Sequence, residues 1–352
     1  LLLNLFVTPN IPQSLPKIAN LLFGVCLYYA LVRWANSARR QRTLLLGLAL
    51  LGGLLIVTVL LMQWLAGPKI PALAPTREAL QQIPRPLSLP GAEAGVNANE
   101  VGGVLLMFVP LCAMLVLDAA AGAPRTWPRI ALCLVVFAGA LALTVASQSR
   151  SAMLGLLIGL LSLPAWRRWW GRVALTAALA LLIGLALNDQ LEPLLQASGL
   201  FAASADFDTL NGRLDVWRRA SYFLAQAPLT GIGLNQFRLA TPAFWPVSSP
   251  LAPSDLGHAH NLFLHAAVEM GAPGLVAYVA IWVALFCCLV AALRRPAGLR
   301  HIYAALGVAS GLLAFCVYGL FDAVALGARA GFPFWLFLAA AVILTSPPAA
   351  DA

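Results

Sequence analysis

Nine stretches of this chain are apolar enough to lie in a bilayer, near residues 17–34, 43–65, 97–117, 130–148, 151–165, 173–188, 261–293, 302–322 and 331–346. A spanning helix needs about 20 such residues. The expected fold is all-α: a polytopic helical membrane protein of about nine full transmembrane helices, with a long external loop before the seventh. Composition agrees, with 10% charged residues against about 25% in soluble domains, and a mean hydropathy of +0.86. Residues 1–8 are apolar and begin at Leu1, so they read as the tail of a partial helix in a longer chain. No basic flank and small-residue cleavage site mark a signal peptide. The whole of 1–352 reads as a single integral membrane domain.

Successive spans alternate sides, so one assignment orients every loop. Arg39, Arg40 and Arg42 follow the first span, Arg125 and Arg129 the third, Arg167, Arg168 and Arg172 the fifth, and Arg294, Arg295 and Arg300 the seventh. All fall on one face in short loops, which the positive-inside rule makes cytoplasmic. A proline-rich loop at 66–96 and a large loop at 189–258 then lie outside. Leu210 to Ala227 within the second is an expected amphipathic helix at the outer surface. The net charge of +9 is explained by these clusters, and no nucleic-acid partner is implied. The six cysteines lie in apolar runs without CxxC spacing and read as small buried hydrophobes.

Residues 130–165 would make one helix of about 54 Å at 1.5 Å per residue, too long for a core of about 30 Å. The polar island Ser147-Gln148-Ser149-Arg150-Ser151 must break it. Arg150 is thereby placed at a turn at the outer boundary. Trp166, Trp169 and Trp170, beside Arg167 and Arg168, suit an interfacial belt at the opposite side.

His258 and His260 stand where the large loop re-enters the membrane, next to Asn261. An imidazole titrates near working pH and can take a proton from an attacking hydroxyl; the competing reading is a solvated or structural loop histidine. His260 opens the helix, so it is the better base of the two. His265 is deeper and reads as a packing residue. Arg150 and Arg213 could clamp phosphate through their planar forks, or snorkel to headgroups. Arg218 and Arg219 follow Arg213 and Trp217 and suit either a pyrophosphate wall or an interfacial anchor on anionic lipid. Asp255 could orient a histidine, and Glu269 and Asp322 could brace an arginine. Asp206 and Asp208 could hold a divalent ion, but solvated loop acids explain them as well. No metal site or cofactor is expected. Gly231-Ile232-Gly233 after Pro228 is a turn and not a nucleotide loop, since no Walker or GxGxxG pattern surrounds it.

Four stretches, taken in order, resemble the O-antigen ligase/polymerase superfamily: Ser147 to Ala152, Asn211-Gly-Arg-Leu-Asp-Val-Trp217, Pro228-Leu-Thr-Gly-Ile-Gly233, and His258-Ala-His-Asn-Leu-Phe-Leu264 with Glu269-Met-Gly271. The resemblance covers about residues 95–325. It implies a metal-independent glycosyltransferase at the outer face of the bacterial inner membrane. The donor would be an undecaprenyl-diphosphate-linked glycan, and the acceptor lipid A–core, a growing glycan or a protein hydroxyl. It also implies that His260 activates the acceptor and that Arg150 and Arg213 hold the diphosphate. His258 remains open as an alternative base.

Ligase, polymerase and protein O-oligosaccharyltransferase are not separable from these residues. A transporter of an anionic or lipid-linked substrate is the competing class, with Glu269 in its favour. Against it, the polar groups gather at one face and no inverted repeat is visible. A lipid-binding scaffold would need no histidine.

Overall fold

The computed structural model describes residues 2–62, 78–79, 82, 97–120, 127–188, 210–244, 257–294, 299–324 and 326–345. It is all-α, with no strand among the described residues. In chain order the helices are α1 (Leu2–Val7), α2 (Ile11–Trp34), α3 (Ala38–Met62), α4 (Ala98–Leu105), α5 (Phe108–Ala120), α6 (Trp127–Ala146) and α7 (Arg150–Ala165). Then follow α8 (Trp169–Leu187), α9 (Leu210–Gln226), α10 (Phe237–Phe244), α11 (Leu262–Arg294), α12 (Leu299–Gly319) and α13 (Phe332–Ile343). Every expected span is matched by helix. Six are long and apolar enough to cross a membrane, and Arg150–Ala165, Trp169–Gly184 and Arg329–Ile343 are shorter apolar helices. The chain is a multi-pass membrane protein. Leu22, Phe23, Leu50, Leu54, Leu134, Val135, Val276 and Val283 are exposed on the spanning helices, as side chains in contact with lipid would be.

The chain divides into two compact units. The first comprises Leu1–Arg33, Ser204–Cys287 and Tyr318–Ala339; the second comprises Trp34–Ala203, Cys288–Val317 and Ala340–Ala352.

In the second unit α3 and α5 pack against α6, and α7 packs against α8. The run that was too long for one helix breaks at 147–149, where Gln148 has φ 54° and the Ser149 hydroxyl caps α7 by accepting from Ala152 N–H. Arg150 is the first residue of α7. Gly102 of α4 lets the turn approach: a Cβ there would lie 2.6 Å from Ser147 Oγ. Deeper down, Ser162 of α7 donates to Ser310 of α12 at 2.9 Å, and Trp166 Nε1 donates to the same hydroxyl at 3.2 Å.

The first unit is organised around α11, which is not one straight rod. Gly271 has φ 71° and ψ −177°, a region open essentially to glycine alone, and Pro273 follows it. The kink strips two carbonyls of their helical partners. Pro273 has no N–H for Glu269 O, and Ala272 N–H turns away to Pro228 O at 2.7 Å. The 228–233 turn repairs the loss. Ile232 N–H donates to Val268 O at 2.9 Å, and Gly233 N–H to Glu269 O at 3.1 Å. Asn4 of α1 adds its side-chain amide to Glu269 O at 2.7 Å. Gly231 and Gly271 permit this apposition, since a Cβ on either would lie 2.5 Å from the facing backbone. The Pro-Leu-Thr-Gly-Ile-Gly and Glu-Met-Gly stretches are therefore two halves of one joint.

Cys26 and Cys287 are exposed on the chain surface, so only part of the cysteine set is buried as expected. The Asp206, Asp208 and Asp255 readings, Arg125, and most of the 66–96 and 189–258 loops lie outside the described residues.

Candidate active site

The site grows from the amphipathic helix expected at Leu210 to Ala227, which is α9. Val216, Ala220 and Phe223 recur at helical spacing on one face and pack with Phe237 of α10, Val268 of α11 and Ala259. Ala259 is fully buried. Anchoring this small residue in the core leaves its neighbours, His258 and His260, half-buried above it. Arg213 lies one turn ahead of Val216 on the same face and is buried to 9% exposure.

Three side chains hold the histidine loop in shape. His258 Nδ1 accepts the His260 backbone N–H at 3.2 Å, closing a tight turn. Trp217 Nε1 donates to His260 O at 3.3 Å. Asn261 caps α11, its Oδ1 accepting from Leu264 N–H at 2.9 Å and its amide donating to Leu320 O at 2.9 Å. His260 itself has φ 46°, a left-handed conformation uncommon outside glycine that asparagine, aspartate and histidine enter more readily than other residues.

Asp322 lies at the centre. It follows α12, is fully buried, and faces three partners. His260 Nδ1 is 3.2 Å from Oδ1, His258 Nε2 is 3.8 Å from the same oxygen, and Arg213 Nη2 is 3.8 Å from Oδ2. Burial works against the charged carboxylate, but His260, by charge and hydrogen bond, then His258 and Arg213, outweigh it and hold the carboxyl well below the usual carboxylate range. Burial and the neighbouring His260 push His258 down to about 3, against the pull of Asp322, with Lys17 and Arg238 adding to the depression. His258 is therefore neutral at working pH, with Nδ1 committed as an acceptor.

This arrangement has two chemical uses. The first is proton transfer. A carboxylate at Nδ1 selects the tautomer that leaves Nε2 with a lone pair, the logic of a histidine–aspartate dyad. The second is metal binding, since His258, His260 and Asp322 bring one ligand atom each within 4.8 Å of one another. The tautomer of His258 argues against the second use. An Nδ1 that accepts the His260 N–H leaves the proton on Nε2, the atom a metal would need.

Glu269 braces a lysine, where an arginine was expected. Lys17 of α2 places Nζ 3.1 Å from Glu269 Oε2 and 3.4 Å from His265 Nε2, and His265 Nε2 is 3.4 Å from the same carboxylate oxygen. A carboxylate in hydrocarbon needs a nearby counter-charge, and α2 supplies Lys17. His265 packs edge-on to Phe237 with ring centroids 6.0 Å apart. Arg219 is paired with Asp215 of its own helix at 2.7 Å, and Arg218 is exposed. Arg150 belongs to the other unit.

Sequence reading missed Lys17, whose position at the edge of a span disguised it as a boundary residue. It also missed Arg238 of α10. A Cβ on Gly257 would lie 2.8 Å from Arg238 Nη2, so this guanidinium rests against the backbone beside His258.

Residues 134–279 match the family model described as O-antigen ligase. The resemblance to the O-antigen ligase superfamily holds. A match to this family implies glycan transfer of the O-antigen ligase or polymerase type. The matched stretch contains Arg150, Arg213, Arg238, His258, His260 and Glu269, whereas Lys17 and Asp322 lie outside it. No curated protein matches the chain.

Proposed function

We propose that the chain transfers a glycan from an undecaprenyl-diphosphate carrier to an acceptor hydroxyl at the outer face of the bacterial inner membrane, without a metal. The observation that carries this reading is the 3.2 Å approach of His260 Nδ1 to the buried Asp322 carboxylate. In the reaction His260 Nε2 takes the acceptor proton as the acceptor oxygen bonds to the anomeric carbon. The bond from that carbon to the diphosphate oxygen breaks, and its electron pair leaves with the diphosphate. Asp322 stabilises the imidazolium that forms. Arginine forks neutralise the departing diphosphate, where preorganised cations contribute most. A single displacement of this kind inverts the anomeric carbon. His258 is the brace of the loop and His260 the base.

Lipid A–core, a glycan chain or a protein hydroxyl would each fit as acceptor. The buried Lys17, His265 and Glu269 favour a second reading, a transporter of the same lipid-linked substrate, because ionisable groups in spanning helices often mark substrate or ion paths.

The test is glycan transfer from an undecaprenyl-diphosphate-linked donor to a panel of acceptors in EDTA, with purified wild type and His260→Ala. Transfer by wild type alone supports a metal-free enzyme and identifies the acceptor class. Equal transfer by both removes His260 as the base. Donor bound but transferred by neither favours transport.

A further inference from the structure

Val216, Ala220 and Phe223 commit one face of α9 to the core. The opposite face carries Leu214, Arg218, Ser221 and Tyr222, all exposed. Both ends of the helix are fixed. At its start Arg213 faces Asp322 beside the histidine loop. At its end the chain enters the turn bonded to the kink of α11, where Pro228 O accepts from Ala272 N–H at 2.7 Å. From Leu262 to Gly271, α11 covers about 14 Å, and from Arg213 to Gln226, α9 covers about 20 Å. The helix α9 therefore runs at an incline from the histidine loop down to the kink. Its lower end meets a surface made for lipid. Leu229 is 71% exposed. Its backbone abuts Gly271, after which Ala272, Pro273 and Val276 are exposed along a helix apolar enough to span the membrane.

We propose that the exposed face of α9 binds an anionic phospholipid, with Arg218 on the lipid phosphate, Tyr222 at the headgroup boundary and Leu229 among the acyl chains. The order of residues along the incline is the order of a leaflet read from hydrocarbon to headgroup. Leu229 joins the apolar surface of α11. Tyr222, 46% exposed, comes next, and an amphipathic ring of this kind settles at the interface. Arg218 is one turn further up, where a long cationic side chain reaches phosphate while its stem stays in apolar surroundings. Charge selects the class of lipid. Asp215 pairs with Arg219, and Asp322 faces Arg213, so Arg218 leaves this side of α9 with a net positive charge. A zwitterionic headgroup brings its own cation, whereas phosphatidylglycerol brings none, and a basic residue at the surface attracts the latter. The guanidinium fork suits two oxygens of one phosphodiester. This surface is separate from the transfer chemistry: the two neighbouring arginines of α9 turn toward carboxylates, and Arg218 turns away from them.

The experiment is site-specific photo-cross-linking in the full chain. Ser221, exposed one turn from Arg218, is replaced by p-benzoylphenylalanine. The protein is placed in vesicles of phosphatidylcholine with a minor share of phosphatidylglycerol of the same acyl chains, and mass spectrometry identifies the captured lipid. One cationic contact at the surface enriches the anionic lipid about fivefold over its bulk share. The expected result is that enrichment with Arg218 present, its loss in Arg218→Ala, partial retention in Arg218→Lys and a decline at high salt, with thermal unfolding unchanged in each variant. Phosphatidylglycerol captured at its bulk share in both wild-type and Arg218→Ala backgrounds overturns the proposal. So does the absence of any lipid adduct, which would put this face in water, or an adduct with a second copy of the chain, which would make it a protein contact. A polyprenyl diphosphate added to the vesicles and captured in place of phosphatidylglycerol also overturns it, and makes the face part of the donor site instead. None of these outcomes depends on His260 acting as a base.

Discussion

His260 is held in a strained backbone conformation, and strain of this kind costs about 1–3 kcal/mol unless its surroundings impose it. Three contacts impose it here: the His258 ring on its N–H, Trp217 on its carbonyl, and Asp322 on its Nδ1. Loss of a general base lowers rates by about 10²–10⁴, so His260→Ala should reduce transfer by that factor while donor binding, read by titration, is retained. Asp322→Asn keeps the shape but removes the charge that selects the tautomer. Its transfer rate should fall by about a hundredfold or more, with donor KM little changed in steady-state assays. His258 carries a pH signature. Its folded pKa of about 3 lies below the ordinary 6.5. Between these values the unfolded chain binds a proton that the folded chain does not, so stability falls as pH drops through the window, by up to about 1.4 kcal/mol per unit. Thermal unfolding in detergent from pH 7 to 4 should show that slope in wild type and a shallower one in His258→Asn.

Among the elements, α11 decides most. Its kink frees Val268 and Glu269 carbonyls, and the 228–233 turn exists to occupy them. Gly271→Ala forces a side chain into a glycine-only conformation and into the Leu229 backbone. It should lower stability by several kcal/mol, seen as a large drop in Tm, with expression falling as well. The Lys17 and Glu269 pair ties α2 to α11 on the histidine-loop side of the kink. Removing one partner of a buried ion pair costs about 3–5 kcal/mol, whereas replacing both with apolar residues is far milder. Lys17→Met should therefore destabilise more than the Lys17→Met/Glu269→Met double variant, a comparison that Tm measurements make directly. Had the pair served only as a transport path, the double variant would retain fold and lose function.

For the whole molecule, the positive-inside reading of the arginine clusters gives an orientation that can be tested, with the proposed site on the outer face. Single cysteines at Arg40, Arg168 and Arg294 should react with an impermeant maleimide only when the cytoplasmic side is open, and one at Tyr222 only from outside. Labelling of both groups from the same side would overturn the topology and, with it, the outer-face site. The two compact units divide the sequence motifs between them: Arg150 and its serine turn in one, the histidines, Arg213, Asp322 and the kink in the other.

Spans and the break between them were legible in the chain because they follow from local quantities: the length of an apolar run and the roughly 54 Å that 130–165 would need as one rod. The histidine pair and Arg213 were legible as candidates through residue type and order. The centrality of Asp322 was not. It is 62 residues from His260 and ends another helix, so no local spacing connects them. Nor was Lys17, whose partner Glu269 is 252 residues away, or Arg238, whose approach depends on a missing side chain at Gly257. Sequence by itself determined which segments form apolar helices and where the long run at 130–165 breaks, because hydrophobic transfer and helix geometry act along the chain. Tertiary structure alone decided which charges meet, because a buried carboxylate takes whichever cation the packed helices bring within about 4 Å, and that distance is set by packing between segments remote in sequence.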